Sequence, residues 1–349
     1  MRILRYIHLL LAIGLLCTSC EHKDFCYYHP HNAKVRLNVD WSNFTVEQPT
    51  GMTVLVYNEE GEDGEIHSTM LSNNISYVDL MIRAGQYKAI VFNQSQTEFG
   101  TLSFRGLDKF STAEIQARAT TSHWYTRLDE TRVVSELEWV GTDKQEGIAV
   151  AKEMVDETVS EQQQKVHSRS SLATRTVIGE LRPQNIIHTV NVRVHVKNVY
   201  NMLSARASLG GLAEGYMLGL GRPSQNKVVQ LLEEWSMTQD KVDPSQGVIE
   251  AKITCFGLPY GHQGVAEDNL FELQLLLVDK KTIVTYPFYV GDKFERDIEE
   301  SVGIELELHL DLTLEEPLPD VEPAGGSGGG GFSADVQDWG PEENIDVQM

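Results

Sequence analysis

Apolar and polar positions alternate with a period of two through most of this chain. "VRLNVDW" sets Val35, Leu37, Val39 and Trp41 against Arg36, Asn38 and Asp40. That is the pattern of a strand with one face in a core and the other in water. "MTVLVYN" follows the turn signal "QPTG". "ISYVDLMIRAGQYKAIVFN" reads as two strands joined at "RAGQ", where Gly85 relieves the turn. "GTLSFRG" and "EIQARAT" are further strand candidates. Farther on, Val190, Val192, Val194 and Val196 alternate strictly with Asn191, Arg193, His195 and Lys197. "GVIEAKITCFGL", "LFELQLLLVDKK", "TIVTYPFYV" and "GIELELHLDLTLEE" continue the pattern, with "VDKKT" as a hairpin turn. "VVQLLEEWS" fits a strand or a short helix. The Gly- and Ala-rich "ARASLGGLAEGYMLGLGR" predicts close backbone packing or an irregular connection.

One stretch breaks the rhythm. From Asp143 to Arg175 the chain is polar, and Met154, Val155 and Val159 make only a thin apolar stripe. It reads as a connection between two strand-rich halves. Many short strands without alternating amphipathic helices predict antiparallel sandwiches. The expected fold is therefore all-β, with two tandem antiparallel β-sandwich domains at 33–142 and 176–316, joined by 143–175. Residues 317–349 form an acidic, Gly-rich tail. The 349 residues suit about two domains.

The N-terminus fixes the compartment. Arg2 and Arg5 precede an apolar run from Leu9 to Leu16, too short for a bilayer, which needs about 20 residues. Thr18 and Ser19 then lead to Cys20. This is a secretory signal layout over 1–19, with cleavage between Ser19 and Cys20 and lipid on Cys20. Cys17 stands where a bacterial lipidation box usually has leucine, and cleavage elsewhere is the alternative. Acyl chains on Cys20, palmitate among them, would anchor the protein to a membrane at about 0.8 kcal/mol per buried methylene. Residues 20–32 are then a spacer.

The net charge of −22 argues against nucleic acid and against an electrostatic hold on anionic lipid. No Lys or Arg follows Arg296, so the tail should stay solvated. Of four cysteines, Cys26 and Cys255 remain after the leader, either as a disulfide or as two thiols. There is no G-x-S-x-G elbow, H-E-x-x-H or Walker loop, and "GLGRPS" lacks the third glycine of a dinucleotide fingerprint. Neither enzyme nor cofactor is expected. Cys26, His29 and His31 have ligand chemistry but no second cluster, so no metal is expected either. Glu305, Glu307 and Asp311 alternate with leucines as the wet face of a strand, and His188 and His195 sit on a polar side or edge. Trp124 and Tyr125 are a sugar platform or the closure of a sandwich end.

These pieces together resemble a known family. "CTSC" followed by "EHKDFCYYHPH", then "RAGQYKAIVFN", "VRVHVKNVYNMLSARASLGGLAEGYMLG" and "FSADVQDW" look like the fimbrillin-like and fimbrial-anchor lipoproteins of the Bacteroidales. The resemblance spans most of the chain. It implies transthyretin-like sandwiches on the outer membrane surface and a role in building or anchoring fimbriae as an anchor, minor or tip subunit. In structural subunits of that family, proteolysis of a leading strand opens a groove that a neighbour's terminal strand fills. Anchor-type members keep their lipid. Arg169 and Arg175 offer no clear cleavage site.

The tail fits that expectation. Phe332, Ala334 and Val336 alternate with Ser333, Asp335 and Gln337, and Asp338 interrupts the order before Trp339. The "GGSGGGG" tether reaches roughly 15 Å. It can lay this candidate donor strand back on its own second sandwich or offer it to another fimbrial subunit. The competing functional class is a carbohydrate-binding surface lipoprotein, with a surface glycan or protein as ligand.

Overall fold

The computed structural model describes residues 32–59, 66–125, 132–155, 175–296, 306–324 and 343–346. Ser19, Cys20, Cys26, His29, His31, Arg169, Glu305, Phe332, Ala334, Val336 and Trp339 lie outside these residues.

The chain opens with β1 (Ala33–Val39), β2 (Met52–Asn58), β3 (Ile66–Ser72), β4 (Tyr77–Ile82) and β5 (Gly85–Asn93). Shorter strands follow: β6 (Leu102–Arg105), β7 (Glu114–Ala117) and β8 (Val133–Val134). Next come β9 (Gly141–Val150), β10 (Thr176–Leu181), β11 (Gln184–Asn185) and β12 (His188–Lys197). The longest strand, β13 (Met202–Ala213), precedes β14 (Gly215–Met217), β15 (Arg222–Pro223), β16 (Lys227–Leu232) and β17 (Ser236–Gln239). The remainder are β18 (Gln246–Cys255), β19 (Leu270–Leu277), β20 (Thr282–Tyr289), β21 (Glu295–Arg296), β22 (Leu306–Thr313) and β23 (Glu343–Asp346).

The first sandwich stacks the sheet β10-β1-β4 on the sheet β11-β9-β5-β2-β3. Val35, Leu37, Val39, Val54, Val56, Leu80, Ala89, Val91 and Ile148 fill the space between. Trp41 leaves the strand for a single 3-10 turn, where its indole N–H donates to Ile75 O at 2.9 Å. The second sandwich stacks β17-β18-β12-β22-β21 on β23-β20-β19-β13-β16-β8. Its core takes the four predicted valines of β12, Ile249 and Ile253 of β18, Leu308, Leu310 and Leu312 of β22, and Leu273, Leu275 and Val284 of the facing sheet.

The two sandwiches share strands across the midpoint of the chain. A four-stranded sheet, β15-β14-β7-β6, is built from both halves and covers the second face of β2 and β5. Leu55, Tyr57, Ile90 and Phe92 therefore join the core of the second sandwich. That double covering explains why "MTVLVYN" is apolar throughout: six of its seven residues are buried. In return, β10 lies parallel to β1 and β11 pairs with β9, so residues 176–185 complete sheets of the first sandwich. β8 runs parallel to β16 of the second.

Two buried carboxylates and two part-exposed arginines form an ionic cluster at this junction. Arg105 Nε donates to Glu114 Oε2 at 2.6 Å, and Arg132 and Arg105 both pair with Glu214. Asn226 Nδ2 adds a donor to Glu214 at 2.9 Å. Each carboxylate side chain is 6% exposed, whereas Arg105 and Arg132 are 44% and 37% exposed, so water screens the cations and removing Arg105, which meets both carboxylates, is the costlier of the two changes.

The structure corrects some local expectations. The polar stretch from Asp143 begins as strand: β9 runs to Val150, antiparallel to β5. Its polar residues line a wet face, while Ile148 and Val150 point into the core. "RAGQ" joins β4 to β5, but these strands lie in opposite sheets, so the turn crosses between layers. "VVQLLEEWS" is strand β16, followed by buried Trp235. The Gly-rich region is strand β13, buried on both faces, with a bulge at Gly211. Gly211 has φ +82°, and a Cβ there would meet Asp268 O at 2.1 Å, so only glycine fits.

Candidate functional site

Small-molecule chemistry finds little support in the geometry. Among the described residues no three His, Cys, Asp or Glu side chains gather around a metal position. A trough of about 1100 Å³ runs over the outer face of β12, β18 and β22. Side chains along this face of the sheet pair with one another: Arg193 with Glu250 at 2.9 Å, His195 with Asp311 at 3.0 Å and His309 with Glu307 at 3.2 Å. Glu307 and Asp311 are thus the wet face of a strand, as their spacing suggests. Cys255 is a free, buried thiol, pushed up to about 12 by burial, with a weaker opposing hydrogen bond from Gly257 N–H. It is therefore an inert core residue.

Trp124 does not present a free platform. Its indole N–H donates to Glu233 at 2.7 Å, the Arg206 guanidinium lies 4.5 Å from its ring centre, and Tyr125 meets it edge-on at 5.7 Å. Arg206 is 2% exposed and donates to Gln274 Oε1 at 2.7 Å. The indole caps a buried cation on the outer face of β13.

The feature with assembly chemistry is the edge formed by β20. On its inner side β20 pairs antiparallel with β19, from Leu270↔Tyr289 to Leu276↔Ile283. The hairpin between them is set by Asp279, which accepts from Lys281 N, Thr282 N and Thr282 Oγ1 at 3.1, 2.9 and 2.7 Å. Burial pushes the Asp279 carboxyl up, but these hydrogen bonds outweigh it and hold the carboxyl below its ordinary value. Lys280 takes φ +60° at the apex, so "VDKKT" is the turn its sequence predicts.

On its outer side β20 receives the chain's own terminus. β23 lies parallel to it, pairing Thr282↔Glu343, Ile283↔Asn344, Val284↔Ile345 and Thr285↔Asp346. The register stops there. Two residues on is Pro287, which has no N–H to give and which strands tolerate at edges. Ile283 and Val284 are each 2% exposed. The pairing segment follows the alternating "FSADVQDW" instead of coinciding with it. "ENID" carries no period-two signal, and an open edge close to the tether outweighs local propensity.

Comparisons with known proteins follow the same lines. Over 367 aligned residues, covering all of both chains, the protein is 22% identical to the inferred fimbrium anchoring subunit Fim4B of Bacteroides ovatus. The crystal structure of an inferred adhesin from Bacteroides ovatus superposes with a TM-score of 0.52 at 12% identity, covering 86% of this chain and 99% of that one. The fimbrial anchor protein Mfa2 of Porphyromonas gingivalis aligns over 81% of this chain and 90% of its own at 11% identity, with a TM-score of 0.41 that carries no weight for the fold. The family described as a domain of unknown function, DUF5119, matches residues 19–233; that is more than half of the chain, and the protein belongs to this family.

Proposed function

We propose that the protein is a structural subunit of a surface fimbrium, of the anchoring kind. Lipid on Cys20 holds it to the outer membrane, and backbone pairing at a sheet edge joins it to neighbouring subunits. The observation that carries this reading is the terminal strand seated on β20: an added strand satisfies backbone groups that an edge leaves unpaired. The full-length likeness to Fim4B supports it. The segment from Phe332, Ala334, Val336 and Trp339 to β23 is the detachable donor, with β23 resting on β20 before assembly. The glycan-binding alternative is weakened because the Trp124 ring is spent on Arg206.

The test is filament retention after shear on cells making the intact chain, a Cys20→Ser variant or a chain lacking 332–349. Loss of the lipid should release the protein with its filament. Loss of the tail should leave the protein in the membrane without one. A tail-deleted chain that keeps its filaments would contradict the strand-addition reading.

A further inference from the structure

An anchoring subunit is pulled from two sides, and the topology decides how its hydrogen bonds meet the pull. On the reading above, on which this inference rests, tension arrives from lipid ahead of β1 and from a filament seated on β20. Among the described strands β1 meets the first pull. It is the middle strand of its sheet. It pairs antiparallel with β4 from Ala33↔Ile82 to Asn38↔Tyr77, and parallel with β10 from Val35↔Thr176 to Val39↔Leu181. Both ladders continue at the far end of the strand: Val39 N–H donates to Ser76 O at 2.9 Å and Asp40 N–H to Leu181 O at 2.8 Å.

The parallel partner sets the direction. β1 is pulled at its first residue. β10 is tied to the second sandwich at its last, because only Arg182 to Ile187 separate Leu181 from His188, where β12 starts. Opposite ends of two parallel strands therefore take opposite pulls, and the ladder between them is sheared along its length. Its hydrogen bonds then bear tension together. An antiparallel β10 would take both pulls at one end and open bond by bond. Sliding β1 along its axis also drags side chains through the core: Ala33, Val35 and Leu37 are fully buried and Val39 is 6% exposed. On the outer face Arg36 Nε donates to Asp79 Oδ1 of β4 at 3.0 Å, and its guanidinium lies 3.6 Å from the Tyr77 ring centre. Arg175, the residue before β10, pairs with the same Asp79, so one ionic tie crosses all three strands. We infer that β1, gripped between β4 and β10, is a mechanical clamp: tension between the membrane and a filament on β20 loads its ladders lengthwise, and the subunit resists being drawn out from its anchored end.

The test pulls single molecules of the full chain by handles on introduced cysteines, with Cys17, Cys20 and Cys26 changed to Ser and the buried Cys255 left in place. One pair, Asn32→Cys with Arg182→Cys, draws β1 and β10 past each other lengthwise. A second pair, Asn32→Cys with Val177→Cys, takes both strands at the same end and peels them, with nearly the same stretch of chain between the handles. A third, Asn32→Cys with Lys280→Cys, runs in the working direction, from the start of β1 to the apex of the β19–β20 hairpin. Forced unfolding reads the unfolding rate under load, so the lengthwise pair is expected to rupture at about twice the force of the peeling pair or more. The working pair is expected to match the lengthwise one. Equal forces for lengthwise and peeling pulls, or a working pull that fails below the lengthwise force, would overturn the clamp. The measurement needs neither lipid nor filament, so it can fail while the filament-retention test succeeds, and the reverse.

Discussion

The two long edges of this molecule, β20 and β3, face the same problem and treat it differently. Both lie outermost in five-stranded sheets once the terminal strand β23 is set aside. β20 is sealed by four residues of its own C-terminus, with a proline beyond. β3 is left bare, with only a bulge at one end. Burial follows the same division. Ile283 and Val284 of β20 are nearly inaccessible, whereas Thr69 and Leu71 of β3 are exposed. The difference teaches that an edge is closed where its side chains belong to a core, and left open where they do not.

The largest contrast should come from placing one substitution at both edges. Val284→Asp buries an unpaired carboxylate in the second core and is expected to cost about 4 kcal/mol or more in denaturant unfolding. Thr69→Asp on exposed β3 should stay within about 0.5 kcal/mol. Similar losses at both sites would erase the distinction drawn here.

A smaller effect is expected at the hairpin that positions β20. Asp279→Asn weakens three hydrogen bonds to the turn and should cost about 1 kcal/mol near neutral pH. The Asp279 carboxyl is held below its ordinary value of 3.8. A depressed carboxyl adds stability above its unfolded pKa and loses it as pH falls through the lower folded value. The gap between wild type and variant should therefore narrow on acidification below the ordinary carboxylate range. A gap that widens there would contradict the assigned role. Smallest of all, Pro287→Val restores an N–H beyond the present end of the added strand. It should shift stability by no more than about 0.5 kcal/mol while letting a longer terminal peptide protect residues past Thr285.

The strands themselves were legible wherever one face is wet. The alternation of β1 and β12 predicts which side chains are buried, and Val190, Val192, Val194 and Val196 are all in the core. Local chemistry also predicts the Asp279 turn. Legibility fades where both faces are covered: the Gly-rich run reads as close backbone packing or an irregular connection, and β13 shows the former, small residues replacing alternation where two layers close on it. Pairing partners were not legible, since β10 beside β1 and β7 beside β14 are contacts between distant segments. The tail shows both limits. Composition and reach leave open a return to the chain's own sandwich or an offer to a partner, and the residues that pair with β20 are Glu343–Asp346, which carry no period-two pattern of their own.

The central claim is that β20 is an acceptor edge occupied by a removable strand. Amide exchange at Thr282–Thr285 tests it most directly, compared in the full chain, in a chain lacking 340–349, and in that shortened chain with a peptide of residues 340–349 added in trans. The account predicts slow exchange, fast exchange and restored slow exchange, in that order. Fast exchange in the full chain, or protection that survives loss of the tail without the peptide, would contradict it.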